Sequence, residues 1–245
     1  MYEDILNSTM HRDYPLPRGS WVMMQHWEHL LFIHYRLPRY VFESYIPPGL
    51  ELDTYDGDAW LSIIPFRVSK IRLRGLPQIP FLNSFLEVNV RTYVKRNGIK
   101  GVYFFSLDAN QLLTVVGARA ATLPYFHANM TMKKWGDSIY VDSERFGKKD
   151  VRLKMQYQPT GEQFHPEKGS LEHWLIERYF LWTYRGRSLF KGGIHHKRWA
   201  IRKAEVNMGK QLLTPFLPDN MAGEYSFAHY AASQIAFLWM IRKEG

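Results

Sequence analysis

The sequence predicts a mainly β, β-rich α+β fold: an antiparallel sheet closed or nearly closed into a barrel, with a few short helices outside it. Three observations lead there. About ten short apolar or alternating runs follow one another at close spacing. Tight-turn pairs, Asp56-Gly57 and Asn97-Gly98, separate some of them, and both residues of such a pair tolerate positive φ. No regular alternation of strands with long helices is present, which argues against a parallel sheet. No repeat, low-complexity tract or linker divides the chain, so residues 21–245 read as one domain behind an arm at 1–20.

The arm begins with a short helix and ends in Pro15-Leu16-Pro17-Arg18-Gly19. Residues 22–37 read as a long strand. Pro38 then opens a short helix over 39–45, proline being at ease in the first helical turn. A short strand at 50–55 and a long one at 59–73 follow, with a kink expected at Pro65, which lacks a ladder N–H. Residues 75–83 form a proline-rich loop long enough to border a cavity.

Glu87 to Lys95 alternates and pairs through Asn97-Gly98 with an apolar strand at 102–107. Asp108-Ala109-Asn110 predicts the cap of a helix over 111–121. Pro124 stops that helix, and a strand over 125–132 follows. Residues 134–137 read as a turn, 138–143 and 151–157 as strands, and 158–169 as a loop. Ser170 caps a helix start. Residues 171–184 begin helical and become strand-like. Two strands, 188–195 and 199–208, a loop at 209–224 and a buried strand at 235–241 complete the chain.

The row Glu87, Asn89, Arg91, Tyr93 carries the most chemistry. Alternation puts a carboxyl, an amide, a guanidinium and a phenol on one strand face, about 6.5–7 Å apart. Two readings stand: the face lines a cavity and binds a small ligand, or it is an exposed face with an internal Glu–Arg pairing. Tyr125 and His127 share a face of the next strand. His173 and Glu177 are four apart and share a helix face. A histidine beside a carboxylate serves as a general acid–base pair and equally as a structural hydrogen bond.

Composition narrows the function. With 46% hydrophobic and 16% aromatic residues the chain can fill a sizeable core, and it has no cysteine. Disulfides, thiolate metal sites and cysteine nucleophiles are thereby excluded. Residues 1–20 are polar and carry acids, unlike a secretory leader. The longest uncharged run, 225–241, is too short and polar to span a membrane. The expectation is a soluble cytoplasmic protein without membrane partners.

The net charge of +9 raises the possibility of nucleic-acid binding. The basic residues, however, are interleaved with apolar ones at strand spacing and match no nucleic-acid motif. A soluble basic surface, or one attracting anionic metabolites, is the preferred reading. Patterns for the nucleophile elbow, dinucleotide loop, phosphate loop and zincin helix are all absent. His195 and His196 are adjacent and point to opposite strand faces. Neither a metal nor a cofactor is expected.

The segments PPGLELDTYDGDAWLSIIPFRV, FLEVNVRTYVKRNGIKGVYFFSLDAN, GARAATLPYFHANM, GSLEHWLIERYFLWT and GGIHHKRWAI resemble the YqjF-like family of uncharacterised bacterial proteins. That family is similar, more remotely, to acetoacetate decarboxylase. The resemblance implies an acetoacetate-decarboxylase-like β-barrel with the site inside, often in a homo-oligomer. In the decarboxylase two adjacent lysines follow the proline, and one forms a Schiff base. Here Pro124 is followed by Tyr125 and Phe126, so Schiff-base decarboxylation is not expected.

What the resemblance leaves is a pocket for a small organic ligand, a carboxylate among the candidates. Glu87 and His127 are its catalytic candidates. Asn89, Arg91, Tyr93, Arg119, Tyr125, His173 and Glu177 are its binding candidates. Lyase- or isomerase-type acid–base chemistry and non-catalytic ligand sensing both remain open.

Overall fold

The computed structural model describes residues 2–78, 84–217 and 225–244, and the chain is mainly β. The arm carries α1 (Tyr2–Asn7). Then come β1 (Met23–Leu37), α2 (Tyr40–Glu43), β2 (Glu51–Leu52), β3 (Ala59–Leu73), β4 (Phe85–Arg96) and β5 (Ile99–Ala109). The middle holds α3 (Leu112–Ala120), β6 (Tyr125–Trp135), β7 (Ser138–Arg145), β8 (Arg152–Phe164) and α4 (Leu171–Ile176). The last part holds β9 (Phe180–Arg185), β10 (Ser188–His195), β11 (Ile201–Gln211), β12 (Phe227–Leu238) and β13 (Arg242–Lys243).

These thirteen strands hydrogen-bond in the order β13-β10-β9-β5-β6-β7-β8-β11-β12-β1-β3-β4-β2, and two further pairings, β4–β5 and β10–β12, tie distant members together. Most neighbours are antiparallel. β5 is the exception, running parallel to both β6 and β9. No described helix is long and apolar enough to cross a membrane.

The two largest cores lie one on each face of β1, β3 and β4. Leu31, Ile33, Ile63, Val88 and Val90 pack with Val141, Leu153 and Met155 of β7 and β8. Leu30, Phe32, Ile64 and Phe66 face the other way, toward Leu107, Leu175, Leu181 and Trp199. β4 is therefore covered on both sides, and its polar row points into the second core. That decides between the two readings of the row: it is buried, not a solvated face.

Several expectations hold closely. Asn97 and Gly98 turn the β4–β5 hairpin with φ of 49° and 77°. Ser170 caps α4, its Oγ accepting from the His173 N–H at 3.2 Å. Residues 171–184 resolve into α4, a short connection and β9.

Others are corrected. Asp108 and Ala109 do not cap α3; they end β5, and Asp108 takes a bidentate ion pair from Arg145. The expected kink at Pro65 falls on the opposing strand. Pro65 stays in register with Val88, while β1 shifts register between Glu28 and Ile33, with His29 at φ 55°. A residue without an N–H leaves the facing strand free to bulge. β6 continues to Trp135 before turning, and β8 and β11 run further than expected. The last long strand starts at Phe227, not 235, and exposes Ala232 and Ser233. Residues 79–83 of the proline-rich loop and 218–224 of the later loop lie outside the described residues.

Close approach makes Gly101 a sensitive point. A Cβ on Gly101 would stand 2.7 Å from the Phe180 carbonyl oxygen and 2.8 Å from Trp182 Nε1. Both are fixed, one as backbone and the other as a buried ring, so β5 and β9 would have to separate. Gly101→Ala should destabilise the protein by about 1–3 kcal/mol, measured by urea unfolding. An unchanged midpoint would contradict this packing.

Candidate functional site

β4 carries three polar side chains into the second core: Glu87, Asn89 and Arg91. They border a cavity of about 100 Å³ together with Phe32, Tyr125, Arg178, His196 and Trp199. Apolar side chains from β1, β3, β5 and β9 complete the wall. The cavity sits where the fold leaves the apolar packing unfinished.

Glu87 is 5% exposed. Its Oε2 accepts the Tyr125 O–H at 2.6 Å, and Asn89 also hydrogen-bonds its carboxyl. Burial pushes its pKa from 4.5 up to about 7, against the pull of those two bonds. Removing a carboxylate from water disfavours the charged form. At neutral pH the group is therefore divided between acid and base. Burial, and then the neighbouring Glu87, raise the Tyr125 phenol well above its ordinary range, so that hydroxyl stays a donor.

Two guanidiniums stand at another part of the wall. Arg178 is 5% exposed. It pairs with Asp53 at 2.7 Å and donates through Nε to the Trp174 carbonyl at 2.6 Å. Arg91 donates to the Leu175 carbonyl at 3.4 Å and has no carboxylate partner among the described residues. Both lie over the Tyr93 ring, at 5.0 Å and 5.7 Å. Trp199 stacks on Trp27 with ring centres 6.3 Å apart.

Four polar atoms of this wall are buried and unpartnered: Asn89 Oδ1, Arg91 Nε, Arg178 Nη2 and Trp199 Nε1. Buried polar groups are ordinarily satisfied. Four of the exceptions among the described residues belong to side chains that line this one cavity. They offer three donors and one acceptor, with a titratable carboxyl beside them.

Thus Glu87, Asn89, Arg91 and Tyr125 come together as expected. Tyr93 is buried beside them, but its hydroxyl bonds Ser62 Oγ at 2.6 Å, and Ser62 in turn meets His34 Nδ1. It serves as a platform for the two arginines. The other expectations are corrected in position. His127 packs against Phe146, two residues and about 7 Å along β6 from Tyr125, past the cavity. Arg119 is exposed and donates to the Tyr125 carbonyl at 2.6 Å, so it supports the strand from outside.

His173 and Glu177 do not pair. α4 ends at Ile176, which turns Glu177 away. Its carboxylate accepts from the Trp199 N–H at 2.9 Å and from the Tyr179 hydroxyl. Glu177 thus positions Trp199 without touching the cavity.

Arg178, His196 and Trp199 were not anticipated. They arrive from connections flanking β9 and β10, far from β4 in sequence. Among the described residues no three histidine, aspartate or glutamate side chains are placed to hold a metal. No lysine lines the cavity.

A profile of DUF2071, described as an uncharacterized conserved protein, matches residues 24–233. The chain belongs to this family. It is 40% identical over 229 residues to the uncharacterized protein YqjF of Bacillus subtilis (strain 168), covering 93% of this chain and 95% of that one.

Among solved structures it resembles an acetoacetate decarboxylase-like enzyme from Sphingomonas wittichii RW1, with a TM-score of 0.64 at 11% identity over 93% and 94% of the two chains. The acetoacetate decarboxylase of Legionella pneumophila gives 0.63 at 11% identity over 98% and 95%. The enduracididine biosynthesis enzyme MppR, complexed with pyruvate, gives 0.64 at 10% identity over 92% and 91%. At such identities these likenesses establish the fold alone. The family member described here has that fold with aromatic residues after Pro124.

Glu87 binds a proton more tightly in the folded protein than in the unfolded chain. Its contribution to stability is therefore full below pH 4.5 and lost as pH rises to about 7, a change of about 3 kcal/mol. Glu87→Gln removes this dependence. Its melting temperature should gain on that of the unmodified protein between pH 5 and pH 8. A constant or shrinking difference would show that the carboxyl titrates normally.

Proposed function

We propose that the cavity binds a small anionic or carbonyl-bearing organic molecule. Glu87 exchanges a proton with it, Tyr125 fixes the carboxyl, and Arg91 and Arg178 orient the ligand's charge. The observation that carries this reading is the group of four unpartnered polar atoms around one buried space. A guanidinium with unused N–H groups and no ionic partner is a natural seat for a carboxylate.

The strand pairings β4–β5 and β10–β12 support the further reading that the sheet closes as a barrel around this space, with residues 21–245 forming one domain. The fold-mates include an enzyme complexed with pyruvate, a ligand of the right size and charge.

Chemistry on this site is acid–base, of the lyase or isomerase kind. A Schiff base needs an amine, and Tyr125 and Phe126 occupy the positions of the decarboxylase lysines. Near neutral pH Glu87 has both protonation states available, as a proton-transfer group requires. The arginines would stabilise negative charge developing on a bound carbonyl or carboxylate in a site shielded from water.

The test is a thermal-shift screen of small organic acids and carbonyl compounds against the purified chain. A binding acid present at about 100 times its Kd should raise the melting temperature by roughly 5–10 °C, and Arg91→Gln should abolish that shift. Its affinity should fall as pH rises above about 7, where Glu87 becomes an anion. Borohydride with a keto acid should leave no covalent adduct. If no compound stabilises the protein, or Arg91→Gln leaves the shifts intact, the reading fails. Turnover of a binding compound distinguishes an enzyme from a ligand sensor.

A further inference from the structure

The unpartnered atoms carry directional information that an unspecified small anion does not use. Resting on the proposed reading of the cavity, we infer that its ligand is a short hydroxycarboxylate of three or four carbons, and that the site selects it over the corresponding keto acid.

Arg91 Nε and Arg178 Nη2 are donors without acceptors. The two guanidiniums share one platform, the Tyr93 ring. Asp53 pairs with Arg178, and Arg91 has no carboxylate partner among the described residues. A single carboxylate meets both needs, supplying lone pairs to both arginines and compensating the charge.

Asn89 sits between Arg91 and Glu87 on the same face of β4, and it is 6% exposed. Its amide hydrogen-bonds Glu87, and its Oδ1 is buried without a donor on a residue that lines the cavity. A carboxylate cannot satisfy it, and neither can a ketone, because both only accept. A hydroxyl can donate to Asn89 Oδ1 while accepting from a neighbouring group. A keto acid would bury the same oxygen still unpaired. Sites built around a hydrogen bond discriminate strongly against analogues that lack it.

Size agrees with this class. The cavity of about 100 Å³ has room for several waters, each needing about 10–15 Å³ of such space, and so for an acid of a few carbons. The apolar wall, Phe32 and Leu181 among it, suits a methyl or methylene group at the far side.

The experiment measures, by calorimetry on the full chain at one pH, the Kd of lactate and 3-hydroxybutyrate against pyruvate and 2-oxobutyrate. The expected result is that at least one hydroxy acid binds about tenfold or more tightly than either keto acid, the loss of one buried hydrogen bond being worth about that much. Asn89→Leu should erase the preference by weakening the hydroxy acids more than the keto acids. Asn89→Asp, which keeps an acceptor, should weaken every acid but preserve the order.

Keto acids binding as tightly as hydroxy acids in the unmodified protein would overturn this inference and leave the cavity's role as an anion site intact. A preference that survives Asn89→Leu would overturn the role given to Asn89. Should neither class bind, this inference falls, and the wider thermal-shift screen decides whether the reading of the cavity falls too. If Asn89→Leu does not fold, the unmodified protein and Asn89→Asp decide the matter.

Discussion

The structure depends on keeping a carboxyl group inside the protein. Glu87 is enclosed on a strand whose opposite face, Val88 and Val90, is itself core. Its Oε2 receives the Tyr125 hydroxyl, and its neighbour two places along supplies an amide. Carboxyl burial is costly unless the group is bonded or neutral, and here both remedies operate. Tyr125 can reach Glu87 because β5 holds β6 beside it in parallel register, Leu107 opposite Tyr125. The register of three strands thus converges on one hydrogen bond.

The arginines are held by a similar logic further along the wall. Arg178 follows α4 directly, and its guanidinium folds back over Trp174, with their centres 4.2 Å apart. Asp53, just after β2, receives the charge. Glu177, immediately before it, holds the Trp199 backbone. Two consecutive residues therefore bind the short connection after α4 to β2 on one side and to the entry of β11 on the other. Rigid supports of this kind keep unpaired N–H groups aimed at a fixed point rather than swinging into bonds of their own.

Much of this was legible in the sequence. The alternation of Glu87, Asn89, Arg91 and Tyr93 fixed their common face, because a strand has a strict period of two. The Asn97-Gly98 turn and the Ser170 cap were equally plain, being local. What could not be read was convergence. His127 shares strand parity with Tyr125, yet parity says nothing of how far along the strand the cavity extends. The spacing of His173 and Glu177 implied a pair only if the helix continued, and it ends one residue early. Arg178 and Trp199 announce themselves by no spacing relative to β4. Their one sequence-level signal was the repeated pairing of aromatic and basic residues after Ser170. Asp108, which resembled a helix cap, was instead claimed by Arg145, a partner distant in sequence.

The pairing of β1 with β12, Met23 opposite Leu238, joins strands far apart in sequence. During synthesis on the ribosome β1 must wait for β12 before this edge is covered. Until then β1 and β3 present an unprotected apolar border, an invitation to pair with another nascent chain. Assembly should accordingly be slow for a protein of this length. Poor tolerance of a break inside β12 follows from where that one strand lies in the reading order of the gene.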